Sequence, residues 1–420
     1  MIWRFFYTLA IRAALPFVVL KLWWRGRREP GYRRHVAERF GDYRFGSERP
    51  VIWLHAVSVG EARAAAPLVR ALQSEFGEHG ILITCTTAAG RETVKQTYGE
   101  SVLVAWLPYD TPGATRRFLA HFRPRLGLVM ETEIWPNLLA SCREFAVPVI
   151  LANGRMSERS GRGYLRWRFL TRPAFAGLAA VCAQSEADAA RFAALGAPAP
   201  KVTGNLKFDI APDPDQAAAG LEWRSALGRP VLLIASTRSG EERMLLDALP
   251  ANGTDALVVV VPRHPQRFDE VALLIGRESE APARRSQGAK PRPTERFFLG
   301  DSLGEMAFYY AACDVAVIGG SFAPHGGQNL IEACAAGVPV VLGPSMFNFA
   351  EATRLALEAG AAVQVGNASE AMRVALGLCA DPARREKMGG AGRALCLAHR
   401  GATDRHLELC RQWLRAAARD

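Results

Sequence analysis

"GSFAPHGGQNLIEACAAGVPVVLG", residues 320–343, sets a glycine pair ahead of a helix-length segment bearing Asn329 and Glu332, then a turn, then a buried-strand run. Two readings of Gly326-Gly327 stand side by side. Glycines let the backbone approach an anionic ligand, and a helix N-terminus offers it unpaired N–H groups. Alternatively, the stretch is simply a Gly-rich helix start. Either way, "VAVIGGS" (315–321) before it and "VPVVLGPS" (338–345) after it read as β-strands separated by a helix.

The same rhythm runs outward in both directions. Upstream in the second half lie "PVLLIAST" (230–237), "ALVVVVPR" (256–263) and "RFFLGD" (296–301), and downstream "AAVQVG" (361–366). The first half offers "VIWLHAV" (51–57), "ILITCTT" (81–87), "VLVAWLP" (102–108), "LGLVMET" (126–132), "VPVILAN" (147–153) and "AAVCAQS" (179–185). Continuous apolar runs alternating with helix-length segments predict parallel strands covered on both faces. The fold class expected is α/β, as two doubly wound Rossmann-like domains. "DIAPDPDQAAAG" (209–220) reads as the linker, leaving 31–208 and 221–420 as the domains, and "RESEAPARRSQGAK" (277–290) as an exposed loop or short linker.

At 420 residues, with 49% hydrophobic and 22% charged residues, the chain is globular and long enough for two cores. Its eight cysteines form no C-x-x-C pair, which argues against a zinc ribbon or a disulfide framework. The net charge is +11, and residues 1–50 hold eleven Lys/Arg against four Asp/Glu, a net of +7. A nucleic-acid binder would spread that charge over a groove. Here it adjoins "FFYTLAIRAALPFVVLKLWW" (5–24), so residues 1–30 read as a membrane anchor with a basic flank. Arg12 and Pro16 weaken a full crossing, and an amphipathic helix lying in the interface is the alternative. In both cases the positive-inside rule expects the body on the cytoplasmic side.

Polar residues follow the strands, where such folds bind ligands. After 51–57 comes "SVGEARAA", with Ser58, Gly60 and Glu61 opening a helix; a lone glutamate there is more often a cap. Glu131 and Glu133 follow 126–132, "GRMSERS" follows 147–153, "STRSGEE" closes 230–237, and "RHPQRF" follows 256–263. "HAVSVGE" (55–61), "METEIWPN" (130–137), "LANGRMS" (151–157), "TGNLKFD" (203–209), "VPRHPQRF" (261–268) and "GGSFAPHGGQNLIEA" (319–333) together resemble the bacterial 3-deoxy-D-manno-oct-2-ulosonic acid (Kdo) transferases of lipid A biosynthesis. The resemblance covers nearly the whole chain.

It implies a GT-B glycosyltransferase whose two domains face a cleft at the inner membrane. It also implies CMP-Kdo as donor, lipid IVA as acceptor and an inverting, metal-independent reaction; no cofactor and no nucleic-acid partner are expected. On the family motifs Glu61 falls on the base, and Glu131 and Lys207 on transition-state stabilisers. Lys207 has the charge to neutralise the donor carboxylate or the departing phosphate. Pro262, Arg263, Leu303, Gly304, Glu305, Asn329, Leu330, Ile331 and Glu332 fall on nucleotide-contact segments. There Gly326-Gly327 would clear space for the nucleotide at a helix beginning near Gln328, and Glu332 would face ribose. His264 and His325 taken singly read as structural. The helix start should lower the Glu61 pKa while burial raises it. A UDP-sugar transferase or 2-epimerase of the same fold is the runner-up, which a donor screen separates. A non-catalytic nucleotide-binding scaffold would lack Glu61, Glu131 and Lys207, and all are present.

Overall fold

The computed structural model describes residues 2–250, 254–278, 281–289 and 291–417. Contacts divide the chain into one unit of Met1–Ile210 plus Arg400–Asp420 and a second of Ala211–His399. In the first, β1 (Val51–His55), β2 (Gly80–Cys85), β3 (Leu103–Trp106), β4 (Pro124–Met130), β5 (Val149–Gly154), β6 (Ala180–Ala183) and β7 (Lys201–Val202) pair in the order 3-2-1-4-5-6-7. Every pairing is parallel.

The apolar runs explain this sheet. Ile52 and Leu54 of β1 point into one core with Leu68 and Leu72, while Val51 and Trp53 point into another with Phe118 and Phe122. Both faces are covered by helices, as parallel sheets require.

The second unit repeats the plan. Its strands are β8 (Val231–Thr237), β9 (Leu257–Pro262), β10 (Ala283–Arg284), β11 (Phe297–Leu299), β12 (Val315–Ile318), β13 (Val340–Leu342) and β14 (Ala362–Gln364), in the order 10-11-9-8-12-13-14. Strand order therefore reverses between β1 and β4 in one sheet and between β8 and β12 in the other. Loops at the carboxyl ends of those four strands are the expected ligand positions.

Three expectations need correction. Residues from Arg400 onward belong to the first unit, because Ala402, Leu407, Leu409, Cys410 and Leu414 complete the core that holds Leu68 and Leu72. The 209–220 stretch is not an open linker: Asp213 caps a helix, Pro214–Ser225, by accepting from Asp215 and Gln216 N–H groups. In 277–290, Ser279, Glu280 and Lys290 lie outside the described residues, but β10 and a short turn at Arg285–Gln287 replace the expected loop. All eight cysteines are free thiols, seven of them buried.

The N-terminal helix, Ile2–Arg25, is long and apolar enough to cross a membrane, with a mean hydropathy of 1.7 in its most apolar window. None of its residues is buried.

Candidate active site

In the first unit, β1 ends at His55 and the chain turns through Val57 and Ser58 into a helix at Val59. Ser58 caps it: its hydroxyl accepts from Glu61 N–H (3.3 Å) and donates to Glu61 Oε1 (3.0 Å). Val57 N–H donates to Glu61 Oε2 at 2.8 Å. Ser58 and Glu61 thus secure the helix start between them, so the capping reading of Glu61 is structurally correct. It is incomplete as an account of the electrostatics. Burial, reinforced by the Glu131 charge, raises the Glu61 carboxyl from 4.5 to about 7 against the pull of those two hydrogen bonds. Burial, not the helix start, wins.

Glu131 follows β4 with φ +55°, a conformation non-glycine residues rarely hold without cause. Its N–H is fixed on Ala152 O at 2.9 Å. Lys207 Nζ lies 3.4 Å from Oε1 and Arg155 Nη2 3.4 Å from Oε2. Burial disfavours the charge, but the two cations outweigh it and hold the carboxyl below its ordinary value. Lys207 is delivered by a single 3-10 turn, Leu206–Asp209, whose start Asn205 caps by accepting from Lys207 N–H (3.0 Å). The fold thus brings Glu61, Glu131 and Lys207 together from three strand ends. Arg155, in the loop after β5, is a fourth member the sequence reading passed over. A basic residue at the carboxyl edge of a central strand was the available signal.

In the second unit the carboxylates are bound differently. Glu241 is fully buried and accepts from the N–H groups of Arg238 (2.8 Å), Gly320 (2.5 Å) and Phe322 (2.9 Å). It ties the loop after β8 to the glycine loop after β12. Glu242, also fully buried, receives the Thr237 hydroxyl at 2.7 Å and a bidentate Arg267 at 2.6 and 3.1 Å. Neither was singled out from "STRSGEE".

The expected nucleotide-contact residues separate into three groups. Pro262 closes β9 in a buried position, and Arg263 N–H donates to Thr237 O at 3.0 Å. Leu303 is exposed and Gly304 takes φ +81°, while Glu305 is held by a bidentate Arg285 at 2.7 and 3.1 Å. Asn329 Nδ2 donates to Glu332 Oε1 at 2.8 Å, and Asn329 Oδ1 accepts from Ile331 N–H at 3.1 Å. Leu330 and Ile331 have side chains buried in the core, which removes them as side-chain contacts. The helix begins at Ile331, not near Gln328.

The glycine question also resolves against expectation. A Cβ on Gly327 would sit 2.2 Å from Met346 Sδ, and one on Gly326 2.4 Å from Asn348 Nδ2. Both residues have positive φ, +83° and +77° in chain order. Protein, not an empty cradle, fills the space those glycines clear. Burial, and then Arg238, Arg263 and Arg267, hold the His264 pKa below its ordinary value, and Arg238 Nη1 donates to Nε2 at 2.9 Å. That arginine-rich turn suits an anion. Among the described residues no cluster of three His, Cys, Asp or Glu side chains is arranged to hold a metal.

Residues 34–210 match the family model for 3-deoxy-D-manno-octulosonic-acid transferase (kdotransferase), and residues 248–395 match glycosyl transferases group 1. A 3-deoxy-D-manno-octulosonic acid transferase from Bordetella pertussis is 48% identical over 97% of this chain and 99% of its own length. The chain belongs to the Kdo transferase family. A Haemophilus influenzae member is 36% identical over 98% of this chain and 99% of its own. The UDP-GlcNAc 2-epimerase of Neisseria meningitidis, 16% identical with a TM-score of 0.59 over 86% of this chain and all of its own, shares the fold. The GT-B fold class of this Kdo transferase family member therefore agrees with the sequence reading.

Proposed function

We propose that this chain transfers Kdo from CMP-Kdo to lipid IVA with inversion, releasing CMP, and that Glu61 is the base. The observation that carries the reading is the pairing of a glutamate raised to about 7 with a neighbouring glutamate held ionised by two cations. A base must accept a proton at neutral pH and later give it up, and a carboxyl near 7 does both. Glu131, pinned by Lys207 and Arg155, keeps the site's charges in place, and Lys207 stabilises negative charge on the donor as the phosphate leaves.

The first unit is then the acceptor side and the second the donor side. Arg263 and the Asn329–Glu332 turn face the nucleotide, with the free oxygen of Glu332 accepting from ribose. Glu305, committed to Arg285, serves that segment by shaping it.

The N-terminal helix lies along the membrane interface on this reading. Near its start Tyr7 OH donates to Asp110 (2.9 Å) and Asn137 Nδ2 to Thr8 (3.0 Å). Near its end Arg25 sits over the Tyr32 ring at 4.7 Å, and Tyr32 stacks on Trp106. A helix of 24 residues, about 36 Å long, held to one body at both ends runs along that body rather than away from it. Its basic flank, Arg25 to Arg34, suits the anionic cytoplasmic leaflet.

The test is incubation of the full chain with CMP-Kdo and lipid IVA, followed by mass spectrometry of the lipid and a donor screen. A lipid heavier by Kdo is expected. Transfer from UDP-GlcNAc in preference to CMP-Kdo would overturn the reading.

A further inference from the structure

We infer that the C-terminal helix, Ala402–Ala417, is a brace for Lys207, acting through His406 and Asn153 as positioning residues. This rests on the role proposed above for Lys207. The helix holds the segment around the Lys207 turn directly on either side and reaches the turn itself through Asn153. Arg405 Nε donates to Thr203 O at 2.8 Å, ahead of the turn. Asp209, two residues after Lys207, accepts from Gly401 N–H (2.8 Å) and Thr403 N–H (2.5 Å), which also caps the helix. Between them Asn153, wholly buried at the end of β5, accepts from Leu206 N–H at 3.0 Å through Oδ1.

Asn153 is itself held from the helix. Its N–H donates to His406 Nε2 at 2.9 Å, which requires Nε2 to be the acceptor. Nδ1 therefore carries the proton and donates to Ala402 O at 2.6 Å. The ring is neutral and of one tautomer, consistent with burial lowering its pKa to about 4. Asn153 holds φ +53°, a strained conformation that this histidine and Gln184, donating to Asn153 O at 3.0 Å, fix from both sides.

The geometry gives a continuous chain of contacts: helix, His406, Asn153, Leu206, Lys207, Glu131. Loss of any link lets the lysine drift from the carboxylate it pairs with. Misplacement of a reacting group by about 1 Å can cost about a hundredfold in rate.

The experiment is a double-mutant cycle in the full chain, reading single-turnover Kdo transfer, donor KM and thermal melting. His406→Leu should lower kcat about ten- to a hundredfold with donor KM little changed, and His406→Gln, which keeps an acceptor, should recover most of the loss. In a Lys207→Ala background His406→Leu should cost less than about twofold more, since the two act as one unit. Asn153→Ala breaks the chain at its other link and should show the same non-additivity, so the test survives if one variant fails to fold. A full, additive loss from His406→Leu in the Lys207→Ala background would overturn the brace. If Lys207→Ala alone transfers normally, the role of Lys207 itself fails, and that outcome is read from the single variant.

Discussion

The two units build their strand-end loops from similar materials and leave them in opposite electrostatic states. In the first, the half-buried Glu61 carboxylate has only two hydrogen bonds and a like charge nearby, and its pKa rises to about 7. In the second, Glu241 and Glu242 are more deeply buried, yet one collects three backbone N–H groups and the other a bidentate arginine. Burial alone does not make a carboxylate reactive. An under-compensated one is poised to move a proton, and a fully compensated one fixes a loop.

The sharpest way to break that contrast is Glu61→Gln. It keeps the shape and an oxygen that can accept from Val57 N–H but removes the proton acceptor. Single-turnover transfer should fall about 10²–10⁴-fold, with CMP affinity unchanged by calorimetry. A well-folded variant within a few-fold of wild type would reduce Glu61 to its capping role.

The matching change in the second unit should act on stability. Arg267→Met strands the Glu242 carboxylate in the core. Removing one partner of a buried pair costs about 3–5 kcal/mol, so the melting temperature should drop by several degrees, read by calorimetry. A change within error would mean that the Arg267–Glu242 pair contributes little to stability.

A smaller loss is expected at the nucleotide turn. Glu332→Gln should weaken CMP binding about ten- to a hundredfold, the equivalent of about 1.5–3 kcal/mol for a charged hydrogen bond. Titration calorimetry reads it directly, and unchanged affinity would remove Glu332 from the ribose.

How much of this was legible depends on what each residue type announces. The central strands were plain, because β-branched runs such as "LVVVVP" have one physical solution. Edge strands β7 and β10 were not, since two residues carry no pattern. Glu61, Glu131 and Lys207 can be placed from motifs, yet the sequence only sets the helix start against burial at Glu61, and the packing decides for burial. Gly326 and Gly327 were read as room for a ligand; only the packing of Met346, Phe347 and Asn348 shows what they accommodate. The return of the C-terminal helix was invisible, because an apolar helix face does not say which core it will join. His406 gave no signal at all: its meaning lies in an asparagine 253 residues away.

The subtlest test separates the charge on Glu61 from its environment. Glu131 raises the Glu61 pKa through its negative charge, so Glu131→Gln should lower it. The acid limb of kcat, near pH 7 in the wild type if Glu61 is the base, should therefore move down by about one pH unit, even as turnover falls. Stability supplies an independent readout with a definite sign. A carboxyl whose pKa rises from 4.5 to about 7 on folding favours the folded state fully below pH 4.5 and progressively less up to pH 7. The wild type should lose stability across that window relative to Glu61→Gln, which has no proton to release there. Melting curves of the two at pH 5 and pH 8 measure the difference. A gap that stays constant between those pH values would show that Glu61 is ionised throughout, and the first unit would then be as well compensated as the second.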